Sequence, residues 1–156
     1  MDLPDNLKKE FEELVAKYQE RRAGLIPALH RCQEELGGWI SPEIIDAVAE
    51  FFELEPVEVW GVVSFYPMFH TEPVGKHVIS ICRNISCDLR GADRIVARVC
   101  EKTGAKPGAT SADGRYTIEL VECQGACANA PMMDVDGVYH EDLDQAKVDQ
   151  ILEELS

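Results

Sequence analysis

The chain has 156 residues, of which 29 are acidic and 15 basic, for a formal charge of −14. That length holds one ordinary domain or two small ones with a real core. The charge argues against nucleic acid as a partner and fits a protein that docks on a more basic surface. No run approaches the roughly 18 apolar residues of a membrane span, so no direct membrane insertion is expected.

Met1-Asp2-Leu3-Pro4-Asp5 has neither the basic and apolar regions of a signal peptide nor the arginine-rich character of a transit peptide. The expected location is the cytoplasm of a prokaryote, or an organelle for a matured form. There, six cysteines read as ligands before disulfides.

Helix signals fill the first 70 residues. Leu7, Phe11, Leu14, Val15 and Tyr18 recur at three- and four-residue steps, which predicts a helix from about Asp5 to Glu20. Leu25, Leu29, Cys32 and Leu36 repeat the pattern, with Pro27 in the first turn and Gly37-Gly38 as the stop. Cys32 falls on that apolar stripe and reads as a core thiol. Ser41-Pro42-Glu43 is a helix start: serine cap, proline first, acid in the first turn. Ile44, Ile45, Val48, Phe51 and Phe52 supply its buried face. A fourth helix begins near Pro56 and carries Val59, Trp60, Val63 and Phe65. Trp60, Phe65 and Tyr66 are expected to pack in the core of this small bundle.

Pro67 to Gly75 reads as the boundary, rich in turn formers and without periodicity. Domains are therefore expected over 1–72 and 73–156. Acids exceed bases on both sides, so charge does not separate two functions.

Beyond the boundary the pattern becomes mixed. His77–Ile81 reads as a strand, followed by a helix with Leu89, Ala92, Val96 and Val99 on one face and Cys100 beside it. Lys106-Pro107-Gly108 and Asp113-Gly114 signal loop and turn. Tyr116–Val121 reads as a second strand, and Met132–Val135 with Val138–His140 as a hairpin around Asp136-Gly137. A last helix is expected over Asp144–Leu155. Periodicity alone supports a small α+β or α/β unit with one β-α-β element.

Two cysteine pairs organise this half. Four residues separate Cys82 from Cys87, three separate Cys123 from Cys127, and 35 lie between the pairs. Each pair follows a predicted strand and is expected in a loop at its end. Four readings are open on spacing. Zinc would use four thiolates, usually with two residues inside each pair. A redox disulfide would normally be C-x-x-C, absent here. Structural disulfides need an oxidising compartment. A two-iron cluster takes two thiolates on each iron, which suits two separated pairs.

The flanking residues bear on the choice. Gly125 lets the backbone approach a bulky inorganic core. Loop N–H groups and Arg83 could offset the two net negative charges of a diferric core, although a lone arginine such as Arg83 reads first as an ordinary solvated residue. His30, His70, His77 and His140 form no paired ligand pattern, and Glu119 and Glu122 read as a solvated strand face.

At these residues the sequence resembles the thioredoxin-like 2Fe–2S ferredoxin family, in particular the 24-kDa-type subunit of NADH:quinone oxidoreductase (respiratory complex I). Relatives occur in NAD-linked hydrogenases and formate dehydrogenases. The resemblance runs from about Leu7 to Leu155. It rests on the two cysteine pairs, Gly61-Val62-Val63-Ser64-Phe65-Tyr66, Pro73-Val74-Gly75-Lys76-His77, and Cys123-Gln124-Gly125-Ala126-Cys127 followed by Ala130-Pro131.

The resemblance implies an α+β chain: an N-terminal helical bundle, then a thioredoxin-like α/β domain. It implies one 2Fe–2S cluster on Cys82, Cys87, Cys123 and Cys127. It further implies single-electron exchange with the FMN of a 51-kDa-type, NADH-binding partner, against which the bundle docks. The chain would then be an oxidoreductase subunit without a complete active site, held at the inner face of the membrane within a larger complex. No G-x-G-x-x-G or G-x-x-x-x-G-K-[ST] stretch is present to hold a nucleotide in this chain itself. A hydrogenase or formate dehydrogenase subunit is the alternative within the family. A zinc-stapled assembly module and a thiol–disulfide enzyme are the alternatives outside it.

Overall fold

The structure is a computed structural model that describes residues 2–155. Its contacts divide it into two compact units, with the boundary between Pro73 and Val74.

The first unit is helical: α1 (Asp5–Val15), α2 (Leu25–Glu35), α3 (Pro42–Phe52) and α4 (Pro56–Phe65). Leu7, Phe11 and Val15 recur every four residues and bury one stripe of α1. The helix stops at Val15, short of the expected Glu20. Lys17 and Tyr18 bond back only three residues, to Leu14 and Val15, which tightens the end into a turn. The chain folds back at once because Gly24 lies against Val15, where a Cβ would stand 2.9 Å from its Cγ1. Tyr18 is consequently exposed rather than part of the stripe. Arg21 fixes the return, donating to the Phe51 carbonyl at 2.9 and 3.1 Å with its guanidinium over the Phe51 ring.

The start of α3 follows its sequence signal. Ser41 Oγ accepts the Ile44 N–H, and Pro42 stands at the first helical position. In α4 the Glu58 carboxylate accepts the Glu55 N–H, closing the first turn. Only Val59 and Val63 of α4 are buried. Trp60 and Phe65 are 44% and 75% exposed, against the expectation of core packing, and Val57 is exposed beside them. The segment Pro56–Phe65 is apolar on more than one side, and the bundle uses one side only.

The second unit packs helices on a five-stranded sheet in the order β2-β3-β1-β4-β5. The strands are β1 (His77–Cys82), β2 (Ala109–Thr110), β3 (Tyr116–Val121), β4 (Met133–Val135) and β5 (Val138–His140). β1 and β3 are parallel, with Ile79 beside Ile118 and Cys82 beside Val121; the β4–β5 hairpin pairs antiparallel to β1. Asp136 and Gly137 both have positive φ, as a two-residue type I′ turn requires. Asp136 also accepts from the Val78 N–H at 2.9 Å and meets His77 Nδ1 at 2.6 Å, tying the turn to β1. The exposed two-residue strand β2 stands where a loop was expected.

The crossover from β1 to β3 holds two helices, α5 (Ile85–Leu89) and α6 (Ala92–Thr103), instead of one. Gly91, with φ of 92°, breaks the run, and Leu89 is left 81% exposed instead of joining the Ala92–Val99 face. α7 (Gln145–Glu154) starts where Asp144 accepts the Lys147 N–H. It buries Val148, Ile151 and Leu152 on the same core as Ile79, Ile118 and Met133.

Candidate metal centre

The parallel register of β1 and β3 builds the site. Cys82 is the last residue of β1 and lies beside Val121, and Cys123 follows two residues further on. The Arg83 N–H donates to the Val121 carbonyl at 2.9 Å and holds these two strand ends together, while the Cys82 N–H donates at 3.2 Å to the carbonyl of Met132, just before β4. Cys87 sits within α5 rather than in an open loop, and Cys127 opens the 3-10 turn Cys127–Asn129. The first pair is thus carried by regular structure, while the second lies beyond its strand as expected.

All six cysteines are free. Cys82 and Cys87 are buried among Ala92, Ala130 and Met132; Cys123 and Cys127 are exposed. Burial pushes the Cys87 thiol up to about 11, helped by a hydrogen bond with Cys82 and by the Cys82 and Cys127 sulfurs, against a backbone bond at Met132. Such a thiol stays protonated at neutral pH unless a bound cation takes the place of its proton. The helix α5, which carries Cys87, also touches the turn that Cys127 opens. Cys82 Sγ lies 3.7 Å from the Glu122 carbonyl and, as a thiol, donates to it.

Cys123 is served differently. The Gly125 N–H points at its sulfur from 3.4 Å. Gly125 has φ of 82°, and no atom lies within 4 Å of where its Cβ would stand. The loop therefore offers a backbone donor and open space beside the sulfur. Among the described residues, no group of three or more His, Cys, Asp or Glu side chains converges on a single ion position. Two sulfide-bridged irons take their thiolates as two pairs, and four free thiols that follow two adjacent strands as two pairs, with a backbone N–H on one sulfur, fit that group.

The other cysteines lie elsewhere. Cys32 is fully buried in the bundle, where desolvation pushes its thiol up to about 12. Cys100 packs against the sheet core and is raised by burial as well. Among the histidines, His77 meets Asp136, and the His30 ring packs at a tilt against Phe69. Glu119 accepts from Ser80 Oγ at 3.2 Å. Arg83 is exposed. Sequence reasoning missed two residues at the site. Gln124 Nε2 donates to the Ser80 carbonyl at 3.2 Å, and Tyr139 Oη donates to the Gln124 carbonyl at 3.0 Å. The Asp-Gly turn placed Tyr139 on a hairpin, but no local signal connects its hydroxyl with the cysteine loop.

Residues 11–156 match the family described as thioredoxin-like [2Fe-2S] ferredoxin. An E-type subunit of the NADH-quinone oxidoreductase of Rhizobium meliloti is 38% identical over 147 residues, 94% of this chain and 87% of that protein. The mitochondrial NADH dehydrogenase [ubiquinone] flavoprotein 2 of Dictyostelium discoideum is 37% identical over 153 residues, 97% of this chain and 62% of that protein. Among solved structures, an air-oxidized NAD+-reducing [NiFe]-hydrogenase superposes with a TM-score of 0.74 at 26% identity. That superposition covers 85% of this chain but only 22% of the hydrogenase chain. The match over nearly the whole length establishes that this chain belongs to the thioredoxin-like [2Fe-2S] ferredoxin family.

Proposed function

We propose that this chain is the 2Fe–2S electron-transfer subunit of an NADH dehydrogenase-type complex, exchanging single electrons with the flavin of a 51-kDa-type, NADH-binding partner. What supports the reading is that Cys82 ends β1 beside β3, that α5 with Cys87 touches the turn that Cys127 opens, and that Cys123 lies two residues beyond β3 with the Gly125 N–H on its sulfur. In this reading Cys82, Cys87, Cys123 and Cys127 are the ligands of one cluster. Residues 73–156 form the cluster-bearing domain, and residues 1–72 the bundle that docks on the partner. The exposed Val57, Trp60 and Phe65 of α4 supply the docking face.

A 2Fe–2S cluster supplies one-electron redox chemistry when bound. The residues of this chain do the rest. Cys82 and Cys87 hold one side of the site in a buried setting, and Cys123 and Cys127 hold the side that opens to solvent. The Gly125 N–H adds a hydrogen bond to a sulfur, which lowers the cost of negative charge there. Among the described residues no helix is long and apolar enough to cross a membrane, so attachment to one would run through other subunits.

NADH gives up a hydride, so a flavin must divide the electron pair before single electrons reach this chain. The isolated chain should be coloured, reducible by dithionite and unreactive with NADH. Addition of the flavin-bearing subunit should make it reducible by NADH. Rapid reduction by NADH with no flavin present would overturn the assignment. The NAD+-reducing hydrogenase that superposes on this chain supports a second reading, the same role in a hydrogenase complex.

A further inference from the structure

We propose that Gln124 and Tyr139 are positioning residues that hold the Cys123–Cys127 loop against β1 and thereby set the potential of the bound cluster. The inference rests on ligation by the four cysteines named above.

The two cysteine pairs are supported unequally. Cys82 and Cys87 belong to a strand and a helix, and each is only 2% exposed. Cys123 and Cys127 are exposed, and residues 122–126 between β3 and the 3-10 turn form neither helix nor strand. Gln124 ties this segment down at both ends of its own residue. Its side-chain amide donates to the carbonyl of Ser80, two residues before Cys82 on β1. Its main-chain carbonyl accepts the Tyr139 hydroxyl from β5. One residue, adjacent to Cys123, therefore links the second pair to the strand of the first and to the hairpin.

Metal binding makes these ties more important. Among the described residues, the remaining side-chain bond from this segment to the sheet runs from Cys82 Sγ to the Glu122 carbonyl. It requires a thiol proton. A metal-bound thiolate has no proton to donate, so that bond is lost on loading. Gln124 and Tyr139 keep theirs, because neither bond involves a ligand atom.

The sign of the effect on potential follows from charge. A diferric core with four thiolates carries two net negative charges, and reduction adds a third. Water admitted to a loosened loop stabilises the more charged, reduced form and raises the potential. In Gln124→Ala the reduced-to-oxidised ratio at the wild-type midpoint should rise about tenfold, which is ~59 mV for one electron. Tyr139→Phe keeps the ring and removes only the hydroxyl, and should raise the ratio about threefold. Val138→Ala alters the exposed neighbour of Tyr139 and should leave the ratio unchanged.

The test is a redox titration followed by electron paramagnetic resonance on the full chain, with iron counted in each variant and iron release to a chelator timed. The expected result is a raised potential and faster release in Gln124→Ala and Tyr139→Phe, with normal circular dichroism and wild-type behaviour in Val138→Ala. Should Gln124→Ala take up no iron, Tyr139→Phe decides: a raised potential supports the inference, an unchanged one overturns it. Full loading with unchanged potentials in both variants overturns the inference and leaves the ligand assignment standing. A wild-type chain that binds no iron overturns both.

Discussion

Phe65 separates the packing of the bundle from its use as a docking face. Three quarters of its surface is exposed, and its ring meets the edge of Tyr66 at 5.0 Å. Full burial of a phenylalanine contributes about 1.5–3 kcal/mol. A partner that covers the exposed three quarters would therefore gain about 1–2 kcal/mol from this side chain, roughly 5- to 30-fold in Kd. Phe65→Ala should weaken binding to the flavin-bearing subunit by that factor. In the isolated chain it loses little beyond the Tyr66 contact, about 1 kcal/mol. Val59, fully buried on the same helix, should behave in the opposite way. Val59→Ala leaves a cavity and should cost about 2 kcal/mol of bundle stability, with a smaller direct effect on affinity. Urea unfolding of the isolated chain and calorimetric titration with the partner give the two numbers for each variant. If Phe65→Ala destabilised the chain as much as Val59→Ala, or left partner binding unchanged, the assignment of α4 as the docking face would be wrong.

Further outcomes are expected. Gly75→Ala should cost about 1–3 kcal/mol, because its Cβ would stand 2.9 Å from Tyr116 backbone atoms that cannot swing aside; the urea midpoint checks this. Asp149 is hydrogen-bonded by Arg98 at 2.5 and 2.8 Å, which holds its carboxyl below the usual carboxylate range. Its contribution is present above the unfolded-state pKa and lost as pH falls through the lowered folded value. Asp149→Asn should therefore destabilise the chain near neutrality and flatten the loss of stability on acidification, read from Tm against pH. Cys32→Ala should lower stability by at most a few kcal/mol and leave the visible spectrum intact, since Cys32 lies in the bundle core.

Much of the architecture was legible because local chemistry and tertiary structure agree. Ser41-Pro42 starts α3, Asp136-Gly137 turns the hairpin, and the runs at His77 and Tyr116 form the strands that carry the cysteines. The departures arise where a distant contact decides. α1 stops at Val15 because Gly24 packs on it, a contact between residues nine apart that periodicity does not register. Gly91 breaks the crossover into two helices through a backbone conformation and not through a change in apolar pattern. Trp60 and Phe65 were expected in the core because their types suit it, yet a helix apolar on several sides cannot bury them all in a small bundle. At the candidate site, spacing singled out the two cysteine pairs, and the family resemblance supplied the ligand role expected of them. Gln124 and Tyr139 escaped notice because a glutamine amide and a tyrosine hydroxyl carry no spacing signature.

The most direct test counts iron and acid-labile sulfide in anaerobically purified protein, for the parent chain and for alanine variants of all six cysteines. The account predicts two irons and two sulfides per parent chain, retained in Cys32→Ala and Cys100→Ala, and lost or severely reduced on changing Cys82, Cys87, Cys123 or Cys127. Zinc in place of iron would contradict it, as would a Cys100 variant that loses iron while one of the four retains it.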